Sequence, residues 1–473
     1  MDEPSGRAVR CSSHLLDRRA TSARLDGAGD GGHRGSPGRS RGLTWRHPGG
    51  ADAPLRRGLG QPWLQQPVRL ALRSDRRRFR SRSLMIASDV RLVDHHCHGL
   101  LFDALPADEF RLLATESDWL SIDGTETLDS PFGLGIRSRC APLLGLPRHV
   151  SIADYLARRD ELGAPEVNRR LMASTGTDVL ILDTGFTASD VVSPSSMTVE
   201  LGIGSAEIVR LERIAEELAP STTASGFLAD FREALQRASA SAVGFKSVMA
   251  YRTGFDIPDS PFTAAEVEAA AAEWLTGTNP EVGYRLDHRV LLAHVVWEAV
   301  ALAKPIQFHV GFGDSDVHLH LSDPTRLTGF FRATHASGAS FMLLHCYPFI
   351  REAGSLAHIF PHVYLDVGLV SHYMGASAGF AVRESLEIAP FHKVLYSSDA
   401  YGLAEHYLVS ATSWRSAISR IADEWLADDW LTTGEADRIV ELVAAGNARR
   451  VYELGNHGLD DRVLEARRLD GSR

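Results

Sequence analysis

The chain has 473 residues, of which 44% are hydrophobic and 23% are charged, and its formal net charge is −10. This composition is typical of a soluble globular chain, and no apolar run reaches about 18 residues, so no membrane-spanning segment is expected. The acidic balance argues against nucleic acid as the main partner.

The first 84 residues differ from the rest. Residues 1–84 contain 18 arginines, no lysine and 7 acidic residues, whereas residues 85–473 carry 32 basic and 53 acidic side chains. This segment is rich in Arg, Gly, Pro and Ser, so it buries too little apolar surface to fold alone. A basic tail for nucleic acid and an Arg-rich transit peptide are alternatives, which its composition disfavours. We interpret residues 1–84 as a disordered segment from a misplaced start, with the native start at Met85.

From Met85 onwards, short apolar runs alternate with longer helical patterns. "TDVLILDTGF" at 177–186 is nearly continuous apolar sequence, which is typical of a parallel strand covered on both faces. Eight strand-like runs are predicted, at 90–96, 177–186, the start of 205–218, 241–251, 304–316, 339–349, 362–370 and 392–402. Strands alternating with helices predict an α/β fold, a (β/α)8 TIM barrel over residues 85–473. No glycine-rich nucleotide motif follows a strand, which disfavours an open doubly wound sheet.

The excess length over a minimal barrel lies mainly between the first and second strands, at residues 99–176. Two stretches there, "PADEFRLLATESDWL" and "SIADYLARRDELG", have helical patterns. We therefore expect a helical insertion over the carboxyl-terminal mouth of the barrel, where it would shape a substrate pocket.

Polar side chains fall at the ends of several predicted strands. His96 and His98 end the first strand, His309 the fifth, His345 the sixth and Asp399 the eighth. The carboxyl ends of barrel strands meet at one rim, where active sites form. Because a strand has a two-residue period, His96 and His98 should face the same way and offer two nitrogens to a metal ion.

Each of these residues also has an ordinary explanation. A single histidine at a strand end is more often a hydrogen-bonded structural residue, and Asp399 could cap the next helix. His95 and Cys97 should point outward and pack against the helices. Lys246 in the fourth strand is harder to explain, since an unpaired buried ammonium is costly. Packing alone does not account for the joint pattern, which predicts a metal-dependent active site.

Several stretches also resemble a known family. They are "FKSVMAYRTGF", "PIQFHVGFGDSD", "LLHCYPFIREAGSLA", "VYLDVGL" and "VLYSSDAYG". With the motif "DHHCH" at 94–98, they resemble the amidohydrolase superfamily, and within it the amidohydrolase-related branch found as the N-terminal domain of FluG and nodulin–glutamine synthetase-like proteins. The resemblance covers the chain from about Met85. It implies a metal-dependent barrel with core ligands at His96, His98, His309 and Asp399.

A divalent metal is the expected cofactor, and Zn²⁺ fits best because imidazole and carboxylate are its usual ligands. Such a metal lowers the pKa of a water molecule towards neutrality. Asp399 would bind the metal and move the water proton to a leaving group, and His345 would orient the water or polarise the scissile carbonyl. Asp94 is a candidate to support the ligands.

Lys246 has two interpretations. In superfamily members with two metals, a lysine on the fourth strand is carbamylated and bridges them, and His309 and His345 would then hold the second ion. As a free amine, Lys246 would bind an anionic substrate instead. We predict one metal and an unmodified Lys246 with a catalytic role.

Three further residues are candidates for substrate contact. Tyr251 and Arg252 follow the fourth strand, and Arg252 could hold a substrate carboxylate with two hydrogen bonds. Glu405 lies just past the eighth strand. A surface ion pair for Arg252 and a solvated position for Glu405 are the alternatives.

The resulting expectation is a cytoplasmic enzyme acting on a small molecule, without nucleic-acid or membrane partners; a homo-oligomer is left open. The first hypothesis is a metal-dependent hydrolase that cleaves an amide-type C–N bond. The second is a metal-dependent non-oxidative decarboxylase on the same barrel, since the same ligands serve both reactions. The third is a regulatory or binding barrel with little catalysis, which the complete ligand set argues against.

Overall fold

A computed structural model of the protein describes residue 87 and residues 89–185, 193–278 and 283–455. The interpretation of residues 1–84 lies outside these described residues and stays a prediction.

That interpretation has a direct test. We expect a protein that starts at Met85 to match the full chain in thermal unfolding temperature and in metal content per chain, because residues 1–84 bury too little apolar surface to join the domain. Differential scanning calorimetry and elemental analysis measure both quantities. A shortened protein that is insoluble or free of metal would show that the segment belongs to the fold.

One parallel sheet organises the chain, and its seven strands pair in sequence order. The strands β1 to β7 span Leu92–Cys97, Thr177–Asp183, Gly204–Arg210, Gly244–Ser247, Ile306–His309, Phe341–Leu344 and Val363–Leu365. Each lies inside or within two residues of a predicted run. The seventh is shorter than predicted, because the chain turns into the helix Gly368–Tyr373.

The predicted eighth strand is not a regular strand. Its place is taken by residues 394–402, here named the closing segment, which bridge Leu365 of β7 at one end and Leu100 after β1 at the other. Both edges of the sheet are thus joined to the closing segment, so the sheet curls until its first and last strands both meet this segment. Asp399 within it adopts a left-handed backbone with φ of 51°, which a continuous strand ladder does not accommodate.

Helices surround the sheet. Those between β1 and β2 span Ala107–Leu113, Pro131–Gly135, Ile152–Leu162 and Ala164–Ala173, with a π-helical turn at Ile136–Cys140 followed by Ala141–Leu143. The later helices span Pro194–Leu201, Leu211–Leu218, Phe227–Ser239, Ala264–Gly277, Arg289–Val300, Thr328–Thr334, Ile350–Ile359, Gly368–Tyr373, Ala378–Ser385, Ala404–Ala427, Thr433–Glu441 and Asn447–Val451. The sequence pattern did not predict Ala404–Ala427, because its first two turns are buried on every side and show no amphipathic period.

Apolar side chains fill both sides of the sheet. Phe245, Phe308 and many helix side chains form the large outer core. A smaller cluster that includes Ile181 and Met342 lies inside, where it meets Tyr452 from the end of the chain. The inner face of the sheet is therefore filled by apolar side chains, and the polar side chains lie beyond them, at the carboxyl ends of the strands.

Candidate metal centre

The carboxylate of Asp399 lies among three imidazoles. Its Oδ1 is 2.9 Å from Nε2 of His96 and 3.3 Å from Nε2 of His98, and its Oδ2 is 3.3 Å from Nε2 of His345. The three rings are almost fully buried. Side chains from β1, from the residues that follow β1 and β6, and from the closing segment therefore meet at one point.

A bulge in β1 sets the direction of its histidines. Between Asp94 and Cys97 β1 advances by three residues, while the paired strand β2 advances by two. One extra residue shifts the alternation of side chains. His96 and His98 still face the same way, since both contact Asp399.

The prediction that His95 packs outward is wrong, because the bulge interrupts the two-residue period. Its Nε2 is 2.9 Å from Oδ2 of Asp366, and its Nδ1 is 3.1 Å from the hydroxyl of Tyr452. Cys97 does pack outward, in a cluster with helix residues such as Tyr155.

Two residues of the site have a strained backbone. His345 has φ of 67° and Asp399 has φ of 51°, both in the left-handed region that disfavours residues with a side chain. Buried carboxylates hold these positions. Asp366 accepts a hydrogen bond of 2.9 Å from the backbone N–H of His345, and Asp94 accepts one of 2.9 Å from the N–H of Ser398. Burial raises the pKa of Asp94 to about 7.

Lys246 contacts the same ring nitrogen of His96 as Asp399 does. Its Nζ is 2.9 Å from Nε2 of His96 and 3.4 Å from Oδ2 of Asp183, which also accepts a 2.7 Å hydrogen bond from Arg210. Burial lowers the pKa of Lys246, although Asp183 and Asp399 oppose the shift. For Asp183, burial alone would raise the pKa, but the charges of Arg210 and Lys246 hold it below its usual range.

Asp183 and Arg210 are site residues that the sequence pattern did not predict. Both are the last residues of their strands, β2 and β3, so the reasoning used for the other strand ends applies to them. The apolar run at 177–186 predicts only a strand and the third run predicts a transition into a helix, so neither pattern marks its last residue as part of a site.

His309 ends β5, as the sequence predicts. Its ring centroid is 4.8 Å from that of His345, and its Nδ1 is 3.1 Å from the hydroxyl of Tyr251. Burial and the neighbouring His345 and Lys246 lower the pKa of His309 well below its ordinary value. Tyr251 therefore lies beside the cluster and is placed to orient a neutral His309.

The site fits a divalent cation. The ligand atoms of His96, His345 and Asp399 lie within 4.8 Å of one another, and so do those of His96, His98 and Asp183. Within the described residues, Nε2 of His309 and Oδ1 of Asp399 are buried without a hydrogen-bond partner, although Oδ1 also lies close to ring nitrogens of His96 and His98. Such atoms are costly unless a ligand satisfies them.

The electrostatics suit a cation as well. Burial and the charge of Lys246 lower the pKa of His96 to about 3, so this imidazole is neutral and can offer a lone pair. Burial would raise the pKa of Asp399, but His345 and His96 hold it well below its usual range, as a carboxylate. Neutral imidazoles around a carboxylate are the donor set that Zn²⁺ and similar ions prefer.

Hydrogen bonds distinguish the roles of two of the histidines. Nδ1 of His98 is 3.2 Å from the carbonyl oxygen of Asp183, so it carries the proton and leaves Nε2 free as a ligand. Nδ1 of His345 accepts a 3.5 Å hydrogen bond from the backbone N–H of Leu369. In the neutral ring, Nε2 of His345 then carries the proton and is a donor.

Two of the candidate substrate contacts, Arg252 and Glu405, lie in buried ion pairs. The guanidinium of Arg252 is largely buried and pairs with Glu216 at 2.6 Å, and it also donates to the carbonyl of Leu286. Glu405 is fully buried, where its Oε1 accepts hydrogen bonds from Arg159 at 3.0 Å and Tyr155 at 2.9 Å. Both positions argue against substrate contact and for a structural role.

Comparisons with known proteins agree with the resemblance to amidohydrolases. An amidohydrolase family model matches residues 225–454. Protein FluG of Emericella nidulans is 27% identical over 398 residues, which cover 77% of this chain and 46% of FluG. The chain thus spans about half the length of that relative.

Solved structures share the fold. A protein from Lactobacillus casei described as a metal-dependent hydrolase matches with a TM-score of 0.70 and 26% identity, over 80% of this chain and 98% of that chain. Glucuronate isomerase from Caulobacter crescentus matches with a TM-score of 0.57 and 15% identity, over 82% and 95% of the two chains. Among the described residues, no helix is both long and apolar enough to cross a membrane. The family model, the FluG relative and the buried His/Asp site agree, and together they support an amidohydrolase-superfamily protein related to FluG.

Proposed function

We propose that the protein is a metal-dependent hydrolase that cleaves an amide-type C–N bond of a small molecule. The observation that carries the proposal is the buried Asp399 carboxylate with three imidazole nitrogens within 3.3 Å. His96, His98, His309 and Asp399 would hold one divalent metal ion, with Zn²⁺ the best match to these donors. When bound, such an ion acts as a Lewis acid and lowers the pKa of water.

The side chains have distinct roles in this proposal. Asp399, held as a carboxylate, accepts the proton of the attacking water and passes it to the leaving amine. His345 donates from Nε2 to the carbonyl oxygen of the scissile bond, where charge develops. Tyr251 orients His309 through their shared hydrogen bond. The helices between β1 and β2 would form the insertion that covers the site.

The test compares two products. The zinc-loaded full chain is incubated with a panel of small amides and with the matching carboxylic acids, and released amine and released CO2 are both measured. We expect amine release that stops after chelation and returns with Zn²⁺. Release of CO2 without amine would favour the decarboxylase. Neither product, together with ligand binding that survives chelation, would favour a binding barrel.

Lys246 gives a prediction about the number of metals. We expect one metal ion per chain, with and without bicarbonate. The structure places Nζ of Lys246 3.4 Å from the carboxylate of Asp183, a partner that suits an ammonium and not an anionic carbamate. Elemental analysis of the native protein and of Lys246→Ala measures this. Two metals per chain that fall to one or none in the variant would show that Lys246 is a carbamylated bridge.

A further inference from the structure

A chain of buried hydrogen bonds joins Tyr452 to the backbone of His345. Tyr452 follows the helix Asn447–Val451, and its ring lies in the inner apolar cluster of the barrel. Its hydroxyl is 3.1 Å from Nδ1 of His95 and 2.8 Å from the side-chain nitrogen of Gln307. The proposed mechanism gives Tyr452 and Gln307 no role, so these contacts call for a separate explanation.

The donors fix the direction of this chain of hydrogen bonds. The side-chain nitrogen of Gln307 also donates to the backbone carbonyl of His95 at 2.8 Å, and a carbonyl can only accept, so the atom in contact with both groups is the amide nitrogen. It therefore donates to the oxygen of Tyr452 as well, and the phenol proton is left for Nδ1 of His95. Burial raises the pKa of Tyr452 well above its ordinary value, so the phenol keeps this proton.

His95 connects the phenol to a carboxylate. Because Nδ1 accepts from Tyr452, a neutral His95 has its proton on Nε2, which lies 2.9 Å from Oδ2 of Asp366. The hydrogen bond on one ring nitrogen thus decides what the other nitrogen does, and it holds the ring in one tautomer and one orientation. His95 and Asp366 are fully buried, so bulk solvent does not compete for these contacts.

The other oxygen of Asp366 holds His345. Oδ1 accepts a hydrogen bond of 2.9 Å from the backbone N–H of His345 and one of 2.7 Å from that of Gly368. His345 has φ of 67°, a conformation that persists only where the surrounding structure fixes it. Gly368 begins the helix in which the N–H of Leu369 donates to Nδ1 of His345 at 3.5 Å. Asp366 therefore fixes both the backbone of His345 and the group that orients its ring.

We propose that Tyr452 is a positioning residue of the active site, which acts through His95 and Asp366. Its hydroxyl fixes the tautomer of His95, and the Asp366 carboxylate then keeps His345 in the orientation that proton donation from Nε2 requires. The inference rests on the proposed function, because it takes His345 to act in the reaction. It gives the segment after the helix Asn447–Val451 a part in that reaction, although Tyr452 lies in the inner apolar cluster and not at the rim.

Tyr452→Phe removes the hydroxyl and keeps the ring. On the zinc-loaded full chain, we expect kcat for the best amide of the panel to fall roughly tenfold while KM changes less than about twofold, as for a group that supports an active residue without binding substrate. Metal content per chain should stay native, since no proposed ligand is altered. Thr334→Val, which removes a similarly buried hydroxyl from the helix Thr328–Thr334, is the matched control and should leave kcat unchanged.

Two substitutions of His95 separate hydrogen bonding from packing. His95→Gln keeps an amide N–H that can donate to Asp366, whereas His95→Leu fills similar space and donates nothing. We expect the glutamine variant to retain more of the native kcat than the leucine variant. Equal losses in the two variants would show that the space filled by His95 matters and the hydrogen bond does not, which would contradict the proposal.

Amide hydrogen exchange tests the same contacts without a substrate. The N–H groups of His345 and Gly368 both donate to Asp366, so peptides that contain them should exchange roughly fivefold faster in Tyr452→Phe, while the rest of the chain keeps its native rates. A native kcat, a loss of metal, or unchanged exchange at both sites would overturn the inference. Faster exchange over the whole chain would also overturn it, because it would show a general loss of stability. Faster exchange confined to these sites, in a protein that hydrolyses no amide, would support the chain of hydrogen bonds and contradict the proposed function.

Discussion

Replacing Asp399 with alanine should remove bound metal and lower activity by more than roughly 100-fold, since even residues that only support metal ligands change activity by about 10- to 100-fold. The carboxylate lies 2.9 to 3.3 Å from ring nitrogens of His96, His98 and His345. Without it, the imidazoles lose the anion that balances a divalent charge. Metal content by elemental analysis and turnover of the best amide substrate are the two measurements.

The matched control is Asp178→Ala, at the start of β2 and therefore at the opposite end of the barrel strands. It should keep full metal content and activity. An Asp399→Ala protein that stays folded and retains one metal per chain would defeat the assignment of this residue as a ligand. Asp399→Asn separates charge from shape, and we expect it to bind metal more weakly than the native chain.

Replacing Arg159 with methionine should destabilise the protein by about 3–5 kcal/mol. Arg159 and Glu405 are both almost fully buried and form an ion pair at 3.0 Å, which joins the helix Ile152–Leu162 to the helix Ala404–Ala427. The variant would leave the carboxylate of Glu405 buried without its cation, and the hydroxyl of Tyr155 would be its remaining side-chain donor within the part of the chain that the structure describes. The free energy of unfolding in urea measures the loss.

Two comparisons make this result specific. Arg237→Met removes an exposed pair with Glu233 and should change stability little, because solvent screens such pairs. The double variant Arg159→Met/Glu405→Leu should recover part of the loss, since it removes both charges. The KM of the remaining folded enzyme should be unchanged. A raised KM with full stability would restore Glu405 as a substrate contact.

The sequence predicted the features that follow from regular periodicity. Seven of the eight strands have the expected places, and His96, His98, His345 and Asp399 meet at the rim because parallel strands end there. Their individual roles in metal binding and catalysis stay predictions.

Features that depend on departures from regularity could not be predicted. The bulge in β1 turns His95 towards Asp366. At His345 and Asp399 the positive φ angles mean that the direction of the side chain no longer follows the two-residue period of a strand. Side-chain pairing between distant helices decides the place of Glu405, and no local pattern reports such a pairing.

The position of the closing segment means that a metal ion bound at the candidate centre would also stabilise the closure of the sheet. The backbone N–H of Asp399 donates to the carbonyl of His96 at 3.0 Å, so two proposed ligands also form one of the few backbone bonds that hold the last edge of the sheet to the first. A cation bound by both side chains would link β1 to the closing segment and stabilise their pairing. Amide hydrogen exchange in the closing segment should then report metal occupancy, because local opening of the joint and release of the ion would be the same event.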